Sequence, residues 1–275
     1  TAFGNTSMLS RYVIAELGVP TLFVANRKTL LDDAASDFSK GITGLKESEV
    51  GEIKDGIYGS RKDSKPQIEK YKIVCATIQS LHAKLFPVKK TEESAAIAAN
   101  LTKWLQQTCQ LMIVDETQAV GTKQWDEVLT LANAPYRVFL SATPKRTDGA
   151  SIKIKAYSGP VMFTTFASTQ VEQGRLSELD IEYHPFDHKM YNESDSDLEY
   201  QPLYKQCIVE NKARNEFIVD KVFEMLAEER YVLVLIQYLD HGETLKQMLI
   251  EKGLPETDLA YINGSDTNKR RHEAL

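Results

Sequence analysis

The sequence predicts an α/β protein built on a parallel sheet, and three observations predict it. Short apolar runs alternate with longer amphipathic stretches of helical period. The runs are continuous rather than alternating, the pattern of strands covered on both faces. Each run also exits into polar residues, and the carboxyl ends of such strands are where open sheets bind ligands. The central run is Gln110 to Gln118, QLMIVDETQ, which ends in the adjacent carboxylates Asp115 and Glu116. A carboxylate there can hold Mg²⁺ through its water while its neighbour orients or deprotonates an attacking water. An acidic turn after a buried strand is the plainer alternative.

In chain order, Thr1 to Thr6 (TAFGNT) feeds an amphipathic helix whose expected stripe is Leu9, Val13 and Leu17, widened by Tyr12 and closed by Gly18 and Pro20. A small-residue turn before a helix can bind an anion through converging backbone N–H groups; it can equally be a capping loop. Thr21 to Ala25 reads as a buried strand, followed by Asn26, Arg27, Lys28 and a helix over 29–38. Basic residues at a strand exit can meet phosphates or simply form a solvated turn. Gly41 to Pro66 is polar and reads as loop, with room for a short strand or helix. Tyr71 to Ala76 is a strand, and Thr77, Gln79 and Ser80 either cap the next helix or meet a nucleic-acid backbone.

Glu92 to Gln107 is expected to be a helix with Ile97, Leu101, Trp104 and Leu105 on one face, Trp104 belonging to the core. After the central run come a helix over 125–131 and a strand over Arg137 to Leu140 that ends in Ser141-Ala142-Thr143-Pro144. From Gly159 the pattern changes. Strands are expected at Val161 to Phe166 and Leu179 to Tyr183, then an acidic linker at Asn192 to Glu199. A long helix over 203–229 carries Ile218, Val219, Val222 and Leu226; a strand at Tyr231 to Ile236 and a helix with Leu245, Met248 and Leu249 follow. A last strand is expected at Leu259 to Ile262. Two strands are too few for a complete second sheet.

Composition sets the outer limits. At 275 residues, 42% hydrophobic and 26% charged, the chain suits two soluble globular domains. It has no apolar run long enough for a membrane span, and the absence of an initial Met leads us to expect a preceding segment. Cys75, Cys109 and Cys207 have no metal spacing, so a reducing cytoplasm is expected. The net charge of −6 offers no general attraction to nucleic acid, which would need a local basic groove.

Several of these stretches, in this order, resemble the superfamily 2 helicases and translocases: TAFGNT, VDETQ, FLSATPKRTDG and VLVLIQYLDHGETL. VANRKTLLDDAASDF is similar to motif Ia of that family and VCATIQSL to motif Ib. LSATPKRTDG, IVENKARNEFI and INGSDTNKRRHEAL resemble its phage recombination and eukaryotic repair members. The resemblance covers nearly the whole chain. It implies tandem RecA-like parallel-sheet domains of the P-loop NTPase kind: 1–165 the ATP-binding lobe, 166–200 a connection, and 201–275 the start of an incomplete second lobe. It implies ATP and Mg²⁺ as cofactors and DNA, single-stranded or branched, as partner, with RNA as the alternative and repair, recombination or replication proteins as associates. A cytoplasm, a nucleoid or a nucleus would suit such a protein.

Carried over position by position, the resemblance gives Asp115 the Mg²⁺ and Glu116 the attacking water, with Gln118 beside them. Thr1, Ala2, Phe3, Gly4, Asn5, Thr6 and Ser7 would form the phosphate loop, Thr6 also ligating Mg²⁺. Ser141 and Thr143 would couple that site to the nucleic acid, near which Arg27, Lys28, Thr77 and His241 would lie. The departures fall in the nucleotide motifs. Asn5 stands where the family has lysine, Ala2 where it has glycine, Thr117 where it has alanine and Gln118 where histidine is usual. An amide cannot supply the point charge that stabilises the β- and γ-phosphates, so slow hydrolysis is expected; motifs V and VI are also absent from these residues. A non-catalytic nucleic-acid-binding module is the rival reading. A kinase-like phosphotransferase is disfavoured, since SATP has no role in one.

Overall fold

A computed structural model of the chain describes residues 8–54, 57–59, 68–143, 149, 151–185, 199–266 and 270. The expected phosphate loop, residues 1–7, lies outside the described residues, as do most of the acidic linker and the end of SATP. The chain divides into two compact units, Thr1–Thr165 and Phe166–Leu275.

The first unit is a sheet between two layers of helices. Its strands are β1 (Thr21–Ala25), β2 (Val50–Lys54), β3 (Ile57–Gly59), β4 (Ile73–Thr77), β5 (Leu111–Val114) and β6 (Tyr136–Phe139). The order across the sheet is β3-β2-β4-β1-β5-β6; only β3 runs antiparallel, as a hairpin with β2. β1, β4 and β5 are buried at every position. Successive side chains of a strand point to opposite faces, and the core splits accordingly. Leu22, Val24, Val74, Ala76, Met112 and Val114 face one cluster, completed from α3 (Ile78–Leu85), α4 (Glu92–Gln107) and α5 (Lys123–Leu131) by Leu81, Leu101, Trp104, Trp125 and Val128. Phe23, Ala25, Ile73, Cys75, Leu111 and Ile113 face the other, with Ile14 of α1 (Ser10–Leu17) and Leu31, Ala34 and Phe38 of α2 (Lys28–Gly41). Phe23 and Phe38 meet edge-on, their centroids 5.2 Å apart.

Several expectations are corrected. The stripe of α1 is not Leu9, Tyr12 and Leu17, which are exposed; Ile14 and Ser10 are its buried residues. Of the expected stripe, Val13 packs partly against the core beside Ile14. β2, VGEIK, emerges from what reads as loop. Its Lys54 is buried and paired with Asp32 and Glu52, and burial of a lysine is tolerated only with such partners. Gly51 lets the strand pass beneath the Tyr71 ring: a Cβ there would come within 2.6 Å of it.

α6 (Ser151–Ser158) follows the sheet in the first unit. In the second unit the 203–229 helix is broken. α7 (Ala167–Glu172) comes first; α8 (Tyr200–Tyr204) then widens into a π-helical turn at Lys205–Val209, and α9 (Lys212–Ala227) starts afresh, capped by the Asn211 side chain accepting from the Arg214 amide. α10 (Leu239–Glu251) packs on α9 through Val219, Val222, Leu245 and Leu249. Among the described residues, none of the four strands expected after Gly159 forms; the chain at 161–166, 179–183, 231–236 and 259–262 carries neither ladder nor helix. Val232, Ile236 and Leu259 pack on the α9–α10 core, whereas Leu233 and Leu235 are exposed. Apolar alternation reports which side of a segment is covered; a strand also needs a neighbour to accept its hydrogen bonds.

Candidate nucleotide and nucleic-acid site

The register aligns the polar exits. Ala25 pairs with Thr77, Val24 with Val114, and Val114 with Phe139. Thr77, Ala25, Asp115 and Leu140 therefore form one row at the carboxyl edge, and Asn26, Glu116 and Ser141 the next. β1 sends its chain on to α2 on one face, while β4 and β5 send theirs to α3 and α5 on the other. Strand ends between helices that diverge in this way border a crevice, the ordinary ligand position of an open α/β sheet.

Asp115 is 4% exposed, and its amide continues the ladder to the Val24 carbonyl at 2.9 Å. By alternation it shares the face of Ile113, on which α1 packs. Glu116 follows in left-handed backbone, φ 52° and ψ 53°, a conformation that costs a non-glycine residue free energy and collects at functional sites. Thr117 holds this bend to the next strand: its amide and hydroxyl both donate to the Leu140 carbonyl, at 3.0 and 2.8 Å.

A relay leads outward from the bend. Gln118 Nε2 donates to Glu116 Oε2 at 2.6 Å, Ser141 Oγ donates to Gln118 Oε1 at 2.6 Å, and the Thr143 amide donates to Ser141 Oγ at 3.0 Å. Four of the expected site residues are thus joined in one chain of hydrogen bonds, beside Asp115. The glutamine amide donates from one end and accepts at the other.

Arg27 and Lys28 are exposed at the β1 exit. Thr77 is buried there and caps α3, accepting from the Ser80 amide at 3.3 Å. Asn26 and Gln79 tie the β1 and β4 exits together through Gln79 Nε2 donating to Asn26 Oδ1 at 3.0 Å. Asn26 directly follows β1, and Gln79 lies two residues past β4 in the first turn of α3.

His241 lies in the second unit. It is 3% exposed, and its Nε2 is 2.9 Å from Asn215 Oδ1. Asn215 Nδ2 donates to the Val209 carbonyl, so its oxygen faces the ring and His241 Nε2–H is the donor. A ring so enclosed holds α9 to α10 rather than presenting itself to a strand of nucleic acid. Burial, with the Arg214 charge adding to it against Asp240, keeps His241 below its ordinary 6.5. The folded chain therefore keeps it neutral while the unfolded chain protonates it below that value. This contribution is complete above about pH 6.5 and is lost as pH falls from there through the folded value. Melting followed by circular dichroism should fall less steeply on acidification for His241→Asn than for the parent; equal slopes would contradict this.

The site's chemistry fits Mg²⁺-ATP. Mg²⁺ takes hard oxygen ligands, commonly one or two carboxylates together with the phosphates, and a buried carboxylate at the crevice meets that need. The described residues offer no cluster of three or more His, Cys, Asp or Glu for an all-protein metal site. The buried thiols serve no such end: burial raises Cys75 and pushes Cys109 up to about 12. No helix among the described residues is long and apolar enough to cross a membrane.

Comparison with known proteins follows the same lines. Residues 6–146, just over half of the chain, match the family model described as type III restriction enzyme, res subunit. A curated protein of Acanthamoeba polyphaga mimivirus, named "Putative ATP-dependent RNA helicase L396", is 25% identical over 251 residues, covering 91% of this chain and 40% of that protein. Among solved structures, T4 UvsW is matched over 98% of this chain at 15% identity and TM-score 0.41, and the Pyrococcus furiosus Hef helicase domain over 92% at 17% identity and TM-score 0.46. The chain spans 49% of each of those two, and so less than half the length of any of the three.

Proposed function

Because the chain belongs to the type III restriction enzyme res subunit family, a helicase-family domain of superfamily 2, we propose that it is the nucleotide-binding lobe, with the start of a second, of an ATP-dependent DNA translocase. The observation that carries this is the relay Glu116–Gln118–Ser141–Thr143 at the carboxyl edge of the sheet. A motor must convert the state of a phosphate site into a change of grip on a polymer, and two discrete hydrogen-bonded arrangements are a means of doing so.

In this reading Asp115 and Thr6 hold Mg²⁺, and residues 1–7 bind the phosphates through backbone amides. Mg²⁺-ATP, when bound, supplies the scissile β–γ phosphate link and the charge neutralisation its cleavage needs. Glu116 orients the attacking water and takes its proton; its strained backbone and the Gln118 amide fix the direction of the carboxylate. Ser141 and Thr143 register the state of Glu116 through Gln118. Arg27 and Lys28 meet backbone phosphates, and the Asn26–Gln79 bond holds their turn in place.

The resemblance of LSATPKRTDG to recombination and repair helicases favours DNA, while the mimivirus relative carries RNA in its name. Asn5 favours a second reading, a chain that binds nucleotide and nucleic acid but turns ATP over poorly. ATP hydrolysis by the full-length protein, measured alone, with single-stranded DNA and with single-stranded RNA, separates these. The proposal expects slow turnover that DNA stimulates more than RNA. Binding of DNA without any stimulation would leave only the non-catalytic module.

A further inference from the structure

We propose that Tyr200, Tyr204 and Tyr238 form a stacking ladder for unpaired bases of a nucleic-acid strand on the second unit. It rests on the nucleic-acid reading above and names a contact for it. Tyr200 and Tyr204 lie one turn apart at the two ends of α8, their ring centroids 5.8 Å apart. Tyr238, at the N-cap of α10, brings its ring to 5.2 Å from that of Tyr204. The planes fan by 45° and 39° rather than lying flat on one another, so the faces are not used up by the tyrosines themselves. Tyr200 is 67% exposed. Beside the rings an open cavity of about 240 Å³ is lined by Tyr200, Leu203, Tyr204, Cys207 and Ile208. That is below the usual size of a drug-sized ligand pocket and suits a single flat ring.

The unit's apolar core does not account for this arrangement. Val219, Val222, Leu245 and Leu249 form it, and neither they nor the residues fringing them include any of the three tyrosines. Immediately after Tyr204 the chain widens into the π-helical turn, a departure that recurs at functional sites. That turn begins with Lys205, whose side chain is more than half exposed. Its carboxylate partner is an equally exposed Glu210 at 3.7 Å, a link weak enough for a phosphate to displace. Aromatic faces beside a cation are how single strands are held without regard to sequence. Tyrosine suits the task, since its ring stacks while its hydroxyl stays wet.

Fluorescence anisotropy of the full chain with labelled oligothymidine and with an abasic strand of equal length tests the ladder. The parent should bind the base-bearing strand about tenfold more tightly. Tyr200→Ala with Tyr204→Ala should bring both strands to the abasic level, and the corresponding phenylalanine pair should keep the preference. Tyr200→Ala alone, at an exposed position that folding tolerates, should lose several-fold of it. A parent that does not distinguish the strands, or alanine variants that keep the preference, overturns the ladder while leaving nucleic-acid binding intact; retained preference would leave the cavity to an apolar peptide side chain. Equal loss of both strands overturns it too, since stacking touches only bases. No binding of either strand by the parent removes the nucleic-acid reading and the ladder with it.

Discussion

Replacing Asn5 by lysine together with Ala2 by glycine is expected to raise DNA-stimulated ATP turnover of the full-length protein at least ~100-fold. The lysine ammonium would supply the point charge on the β- and γ-phosphates that an amide lacks. One preorganised electrostatic group of this kind lowers a barrier by on the order of 3 kcal/mol, or about two powers of ten in rate. The glycine restores the residue the family has at that position and removes a Cβ. Steady-state turnover at saturating DNA measures the effect. An unchanged rate would mean that these two positions are not what slows the chain.

In that restored background, Glu116→Gln is expected to cost ~10²–10⁴-fold in turnover, the range of a general base. Affinity for nucleotide should change little, because the amide keeps the shape and the hydrogen-bonding reach of the carboxylate but cannot accept the water's proton. The relay predicts a companion effect: Gln118 would face an amide in place of the carboxylate it now donates to at 2.6 Å, so DNA stimulation should fall along with the basal rate. A Glu116→Gln chain that hydrolyses ATP at the parental rate would take the catalytic role away from Glu116.

Much of the first unit was legible because burial on both faces leaves a plain mark. TLFVA, IVCA within the 71–76 run and LMIV are nearly continuous apolar stretches, and each forms a fully buried strand, the second beginning at Ile73 because Lys72 before it is exposed. The polar exits were legible for the same reason, since a charge after such a run has to lie at the rim of the sheet. β2 was hidden because its Lys54 reads as solvent-exposed until Asp32 and Glu52 are seen to neutralise it. The opposite error arose at Tyr231–Ile236, where apolar residues promised a strand. Val232 and Ile236 are covered by helices, but no ladder forms among the described residues. His241 shows the limit for single residues. A histidine opening a helix reads alike whether it faces a ligand or a neighbouring asparagine, and only the Asn215 contact, made from a helix distant in sequence, decides.

If the carboxyl edge around Asp115 is a Mg²⁺-nucleotide site, calorimetric titration of the chain with a non-hydrolysable ATP analogue, in Mg²⁺ and then in EDTA, will show it. Binding should depend on Mg²⁺ and weaken at least ~10-fold in Asp115→Ala, the loss expected of a charged contact to the bound metal. Binding that is indifferent both to Mg²⁺ and to Asp115 would contradict it.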